Sequence, residues 1–209
     1  MPLAAERIIS IFDWDDTLCP SSWLGCCSTD SNQPGLKLVE MKAYSLLSMA
    51  HQMGLVYIVS AAEYVWIHNI CRALFPTLSA LFESNQVKIV SARDCWYQEH
   101  NLHGGGPKEW KQATFQAVWQ QHSNPNLLHH VVSIGDSSYE HEACRSIGGH
   151  GRYTKTIKLI SQPTLEQLFH QLEAMQLHLP QVYNHNGSLD LHLVPSQHDP
   201  THFQLLQYS

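Results

Sequence analysis

The sequence predicts an α/β fold built on a parallel sheet, and three observations carry that prediction. Four short apolar runs, at 8–12, 55–59, 87–90 and 130–134, have the length and continuity of strands buried on both faces. The segments between them hold helical periodicity and helix stop signals. Three of the runs end in polar residues, Asp13, Ser60 and Gly135-Asp136, at the strand ends where open α/β sheets bind ligands.

The first run closes on Asp13-Trp14-Asp15-Asp16-Thr17-Leu18. Strand alternation lets Asp13 and Asp15 point one way while Trp14 packs the other. Two acids in one small site stay ionised only with a cation, a proton or a donor between them, which asks for a hard metal such as Mg²⁺. A polar, turn-rich stretch follows, 19–35. A helix is expected over 38–53, with Val39, Ala43, Leu46, Leu47 and Ala50 on one face and Gly54 as its stop.

The second run ends in Ser60-Ala61-Ala62-Glu63, where a hydroxyl and the free N–H groups of a helix start can hold a phosphate oxygen. Helices are expected over 61–74, before Pro76, and over 78–83. After the third run, 92–107 reads as irregular, with Gly104-Gly105-Gly106 as a flexible connection. Pro107 suits the first turn of a helix carrying Lys108, Trp110, Lys111, Phe115 and Val118. The fourth run gives Gly135-Asp136-Ser137-Ser138-Tyr139-Glu140, in which Gly135 permits a tight exit and Glu140 lies one helical turn beyond Asp136. A fifth strand is expected at 156–160, a helix over 163–179 with Pro180 beyond it, and an alternating edge strand at 188–194.

Asp13-x-Asp15-x-Thr17-Leu18, Ser60, Lys111 and Gly135-Asp136, in that order, resemble the four motifs of the haloacid dehalogenase superfamily. The resemblance implies a three-layer α/β/α sandwich. The intervals after the first and third strands are too short for an inserted domain, so the chain is similar to the capless (C0-type) Mg²⁺-dependent phosphatases. It further implies catalysis by Asp13 as nucleophile and Asp15 as general acid and base, with Lys111 neutralising charge and Lys108 as its fallback. Phosphate would be held by Thr17, Ser60, Ala61 and Lys111. Mg²⁺ would be held by Asp13, Asp15 and Asp136, with Glu140 bracing its water. The activity implied is phosphomonoester hydrolysis at an open site suited to bulky or protein substrates. Two alternatives stay open: a phosphotransferase using the same aspartyl-phosphate, and a non-catalytic module keeping the fold.

At 209 residues the chain fits one domain, expected over 1–195, with 196–209 as a polar tail. Its net charge of −6, with no Lys/Arg cluster, argues against a nucleic-acid partner. No run reaches the length of a membrane span, so no membrane partner is expected. Six dispersed cysteines without a C-x-x-C pair read as free thiols, and with no secretory signal the expected location is cytoplasmic. His100, His103, His129, His130 and His141 match no zinc spacing and read as solvated or capping side chains. Trp14, Trp66 and Trp119 are expected in the core, while Trp23, Trp96 and Trp110 are candidates for a substrate wall.

Overall fold

A computed structural model describes residues 6–26, 33–100, 104–196 and 201–207. Its elements run β1 (Glu6–Phe12), α1 (Ser21–Cys26), α2 (Pro34–Met53), β2 (Leu55–Ser60), α3 (Tyr64–Leu74), α4 (Pro76–Glu83), β3 (Lys88–Ser91), α5 (Ala92–Glu99) and α6 (Pro107–His122). They continue with β4 (Leu128–Gly135), α7 (Ser138–Ser146), β5 (Arg152–Lys158), α8 (Leu165–Asn184), β6 (Leu189–Pro195) and β7 (Phe203–Gln207). All seven strands join one sheet, ordered β3-β2-β1-β4-β5-β6-β7. Every pairing is parallel except the antiparallel β6–β7 pair. Helices on both faces complete a three-layer α/β/α sandwich.

Alternation on β1 divides the core. Ile9 and Ile11 pack into a layer with Phe115 and Val118 of α6 and Ala143 of α7, whereas Phe12 and Trp14 join a larger layer built from α2, α3, α4 and α8. Asp13 follows in step with Ile9 and Ile11 and is thereby directed toward α6 and α7. The β1–β4 ladder runs on through the bond from Asp13 N–H to the Ile134 carbonyl, 2.8 Å. β1 and β4 are neighbours from which the chain departs to opposite halves of the sheet, so their C-terminal ends open the crevice at a topological switch point.

Several expected boundaries move. The helix read as 38–53 begins at Pro34, a residue suited to the first helical turn. The helix read from 61 begins at Tyr64, because the Ser60 hydroxyl accepts the Ala62 N–H at 2.9 Å and holds a turn there. The stretch 92–107 is not irregular throughout: α5 fills 92–99, capped by the Ser91 hydroxyl, which accepts the Asp94 N–H at 3.1 Å. Gly104 and Gly105 have φ of 69° and 72°, and a Cβ on Gly105 would lie 2.9 Å from Trp96 and 3.0 Å from Trp110. The glycine run is therefore a packed left-handed turn rather than a loose connection.

The fifth strand spans 152–158, earlier than expected. The last helix does not stop before Pro180 but runs to Asn184. Its final turn is anchored: the Tyr183 hydroxyl bonds Ser10 Oγ at 2.8 Å, and Lys155 Nζ donates to the carbonyls of Val182 (2.6 Å) and Tyr183 (3.0 Å). Buried ties of that kind offset the hydrogen bond a mid-helix proline removes. Finally, 188–194 is not the sheet edge, because part of the expected polar tail adds a strand beyond it. Phe203–Gln207 forms β7 outside β6 and buries Phe203 to 3% exposure. No helix among the described residues is long and apolar enough to cross a membrane.

Candidate active site

Three carboxylates and one ammonium group converge beyond the ends of β1 and β4. Asp13, Asp136 and Glu140 each bring a carboxylate oxygen within 4.8 Å of the others. Lys111, from the first turns of α6, donates from Nζ to Asp13 Oδ1 at 2.8 Å and also to Glu140 Oε1. Lys108 instead pairs with Glu142 on the surface at 2.7 Å, so it is Lys111 that faces the acids. Glu140 is fixed further by Ser137, whose N–H and hydroxyl donate to Oε2 at 3.1 and 2.7 Å. Gly135 makes this packing possible, since a Cβ there would fall 2.7 Å from the Glu140 side chain.

Asp15 lies apart from that cluster. Its carboxylate accepts the Ser60 hydroxyl at 3.0 Å, so its side chain is turned toward the end of β2 and away from Asp136. Thr17 is fully buried, and its Oγ1 has no hydrogen-bond partner among the described residues. Ala61, half-buried after Ser60, packs against the α5–α6 layer. The third acid of the run, Asp16, is structural. It is buried, with φ 52°, and its carboxylate accepts the Ser22 N–H at 2.9 Å and the hydroxyls of Ser21 and Ser22, starting α1.

The electrostatics follow from too many acids sharing one base. Burial, opposed by Lys111 and reinforced by Glu140, pushes Asp13 well above the ordinary carboxylate range. Burial pushes Asp136 to about 6, again with Glu140 reinforcing. Burial also raises Asp15, against hydrogen bonds from Ser60 and Ser21. Glu140 moves the other way. Burial would raise it, but the Lys111 charge and the bonds from Lys111 and Ser137 outweigh burial and hold it low. Lys111 is held charged against burial by Asp13 and then by Glu140.

Mg²⁺ fits this donor set. Asp13 and Asp136 offer hard oxygen atoms of the kind Mg²⁺ prefers, and a dication would offset the cost of ionising both where burial, reinforced by Glu140, raises them. Sequence reasoning missed Lys158. It stands opposite Gly135 in the β4–β5 register and, with Ser161 Oγ, donates to the Asp136 carbonyl at 2.7 Å. The signal was a basic residue at the end of the strand next to β4.

The candidate substrate-wall tryptophans separate. Trp23 packs on the α2–α8 core layer, while Trp96 and Trp110 line a cavity of about 190 Å³ between α5 and α6 whose lining includes none of the acids. Trp14 is buried as expected, but Trp66 is 37% exposed. His103 and Cys27 lie outside the described residues. No family model, curated protein or solved structure matches the chain.

Proposed function

We propose that the chain is a Mg²⁺-dependent phosphomonoesterase of the haloacid dehalogenase type, working through an aspartyl-phosphate on Asp13. The observation that carries the reading is the meeting of Asp13 and Asp136, from the ends of two neighbouring strands, against the Lys111 ammonium. An Asp13 oxygen forms a bond to phosphorus as the bond to the ester oxygen breaks. Asp15, kept protonated to higher pH by burial, gives its proton to that leaving oxygen. In the second half Asp15 takes a proton from water, the water oxygen bonds to phosphorus, and the bond to Asp13 breaks to release phosphate. The Ser60 hydroxyl orients Asp15 for both transfers, and Lys111 offsets charge on the phosphoryl oxygens. Mg²⁺, held by Asp13 and Asp136 with the Asp15 backbone carbonyl, supplies further charge neutralisation when bound.

Among the described residues, the stretch between β1 and α2 holds α1, of 6 residues, and that between β3 and α6 holds α5, of 8, which supports an open site and bulky substrates, phosphorylated proteins included. Five described cysteines are free thiols, which supports a reducing, cytoplasmic setting. Hydrolysis of an aryl phosphate should require Mg²⁺ and should fall on the order of 10³-fold or more in Asp13→Asn, with the fold retained. Absence of Mg²⁺-dependent turnover across a broad panel of phosphate esters and phosphopeptides would overturn the proposal.

A further inference from the structure

A second cluster of metal-ligating side chains stands on the same helix as Glu140 but belongs to another chemistry. β6 turns Leu191 and Leu193 into the layer shared with α8, so Asp190 and His192 emerge together on the opposite face. His141 of α7 reaches them there. The donor atoms of His141, Asp190 and His192 all lie within 4.8 Å of one another. His141 Nε2 is 3.0 Å from Asp190 Oδ2, and the two imidazoles stand edge to face with centroids 6.3 Å apart.

The surroundings are those of a held ligand set. Thr156 Oγ1, on the neighbouring strand β5, donates to Asp190 Oδ1 at 3.1 Å and leaves Oδ2 toward the histidines. Such outer hydrogen bonds are what orient metal-binding carboxylates. All three candidates sit on regular elements, two at i, i+2 of a strand and one on a helix, and none on a loop. Arg145 Nη1, 3.3 Å from Asp190 Oδ2, supplies the positive charge in the metal-free protein, and its 64% exposed side chain is free to withdraw into water.

We infer that His141, Asp190 and His192 form a second metal site, for a divalent transition ion of the zinc and cobalt class. Two imidazoles and one carboxylate select such ions over Mg²⁺, which prefers the all-oxygen cluster at the switch point. An ion about 2.1 Å from each donor requires donors no more than about 4.2 Å apart, a spacing that His141 Nε2 and Asp190 Oδ2, 3.0 Å apart, already meet. With three protein ligands, the remaining position is open to water or an outside ligand.

The test is titration of the full chain with Co²⁺ in saturating Mg²⁺, followed by ligand-field absorption and calorimetric stoichiometry. One Co²⁺ per chain is expected, displaced by Zn²⁺. His192→Ala and Asp190→Asn should each weaken binding at least about 10-fold, since removing even an outer partner costs that much. Arg145→Ala should tighten it a few-fold by removing the competing charge, and Asp136→Asn should leave it unchanged. Ring resonances of His141 and His192 in the unmutated chain should shift with the metal, a readout that survives if a variant fails to fold. No ligand-field band in the full chain, or a band that persists unchanged in His192→Ala, would overturn the inference.

Discussion

Lys155 is fully buried, and its ammonium donates to the last carbonyls of α8 and, at 2.8 Å, to His130 Nδ1. A cation there suits the negative end of the helix, yet burial, only partly opposed by Glu6, brings its pKa from 10.5 down to about 8. Between those two values the unfolded chain binds the proton and the folded chain does not, so stability rises with pH across that window. The buried thiols Cys71 and Cys144, pushed from 9.0 up to about 12 mainly by burial, act in the opposite sense over a range that overlaps the upper part of that window. The expectation is therefore set on a difference. The stability of the native chain minus that of Lys155→Met, from urea unfolding, should rise from pH 8 to 10, and a pH-independent difference would remove this account. Of the site residues, Asp13, Lys111 and Asp136 were legible because each stands at the end of an apolar run or the start of a helix. The Asp15–Ser60 pair was not, since it depends on a loop turning sideways between strands. His141 and Asp190, 49 positions apart, meet only through the packing of α7 on β6.

Helix α4 starts without a side-chain cap of its own, and Pro76 opens it. Its free N–H groups are met instead by Glu40 of α2, a carboxylate 4% exposed that accepts from Thr77 at 2.5 Å and Leu78 at 3.2 Å. Glu40→Ala should therefore cost about 2 kcal/mol in urea unfolding, the upper end for loss of a cap, because two donors are left unpaired, that of Leu78 buried. A loss below about 0.5 kcal/mol would mean that water reaches those groups. Elements that bury a continuous run, such as β1, β2 and β4, were readable from apolar continuity alone. α5 was missed because Ala92 is its one buried residue, and only Ser91 before Asp94 announced it. β7 was missed because its burial alternates weakly, with Phe203 alone fully covered.

At the scale of the whole molecule, the crossovers do not all turn the same way. α7 and α8 each connect a strand to its parallel neighbour in the same direction along the sheet, yet they pack on opposite faces. The two crossovers therefore have opposite hands. The α2, α3–α4 and α5–α6 connections agree with α7, so α8 makes the uncommon one. That course seats α8 beside α2, leaves the Asp190 face of β6 to α7, and makes β6 depend on β7 for its outer hydrogen bonds. Ending the chain after Ser196 would strip β6 of its antiparallel partner and the core of Phe203, a loss worth about 3–5 kcal/mol for the aromatic side chain alone. The exposed edge would also offer unpaired N–H and C=O groups to other copies. Truncation should thus lower the melting temperature and produce concentration-dependent association in light scattering. The folded fraction should keep the proposed Mg²⁺-dependent turnover, because β1, β2 and β4, which position the site, lie inside the sheet and do not pair with β6 or β7. A truncated chain that stays monomeric and melts unchanged would show that β6 needs no cover and that the sheet ends, energetically, one strand earlier.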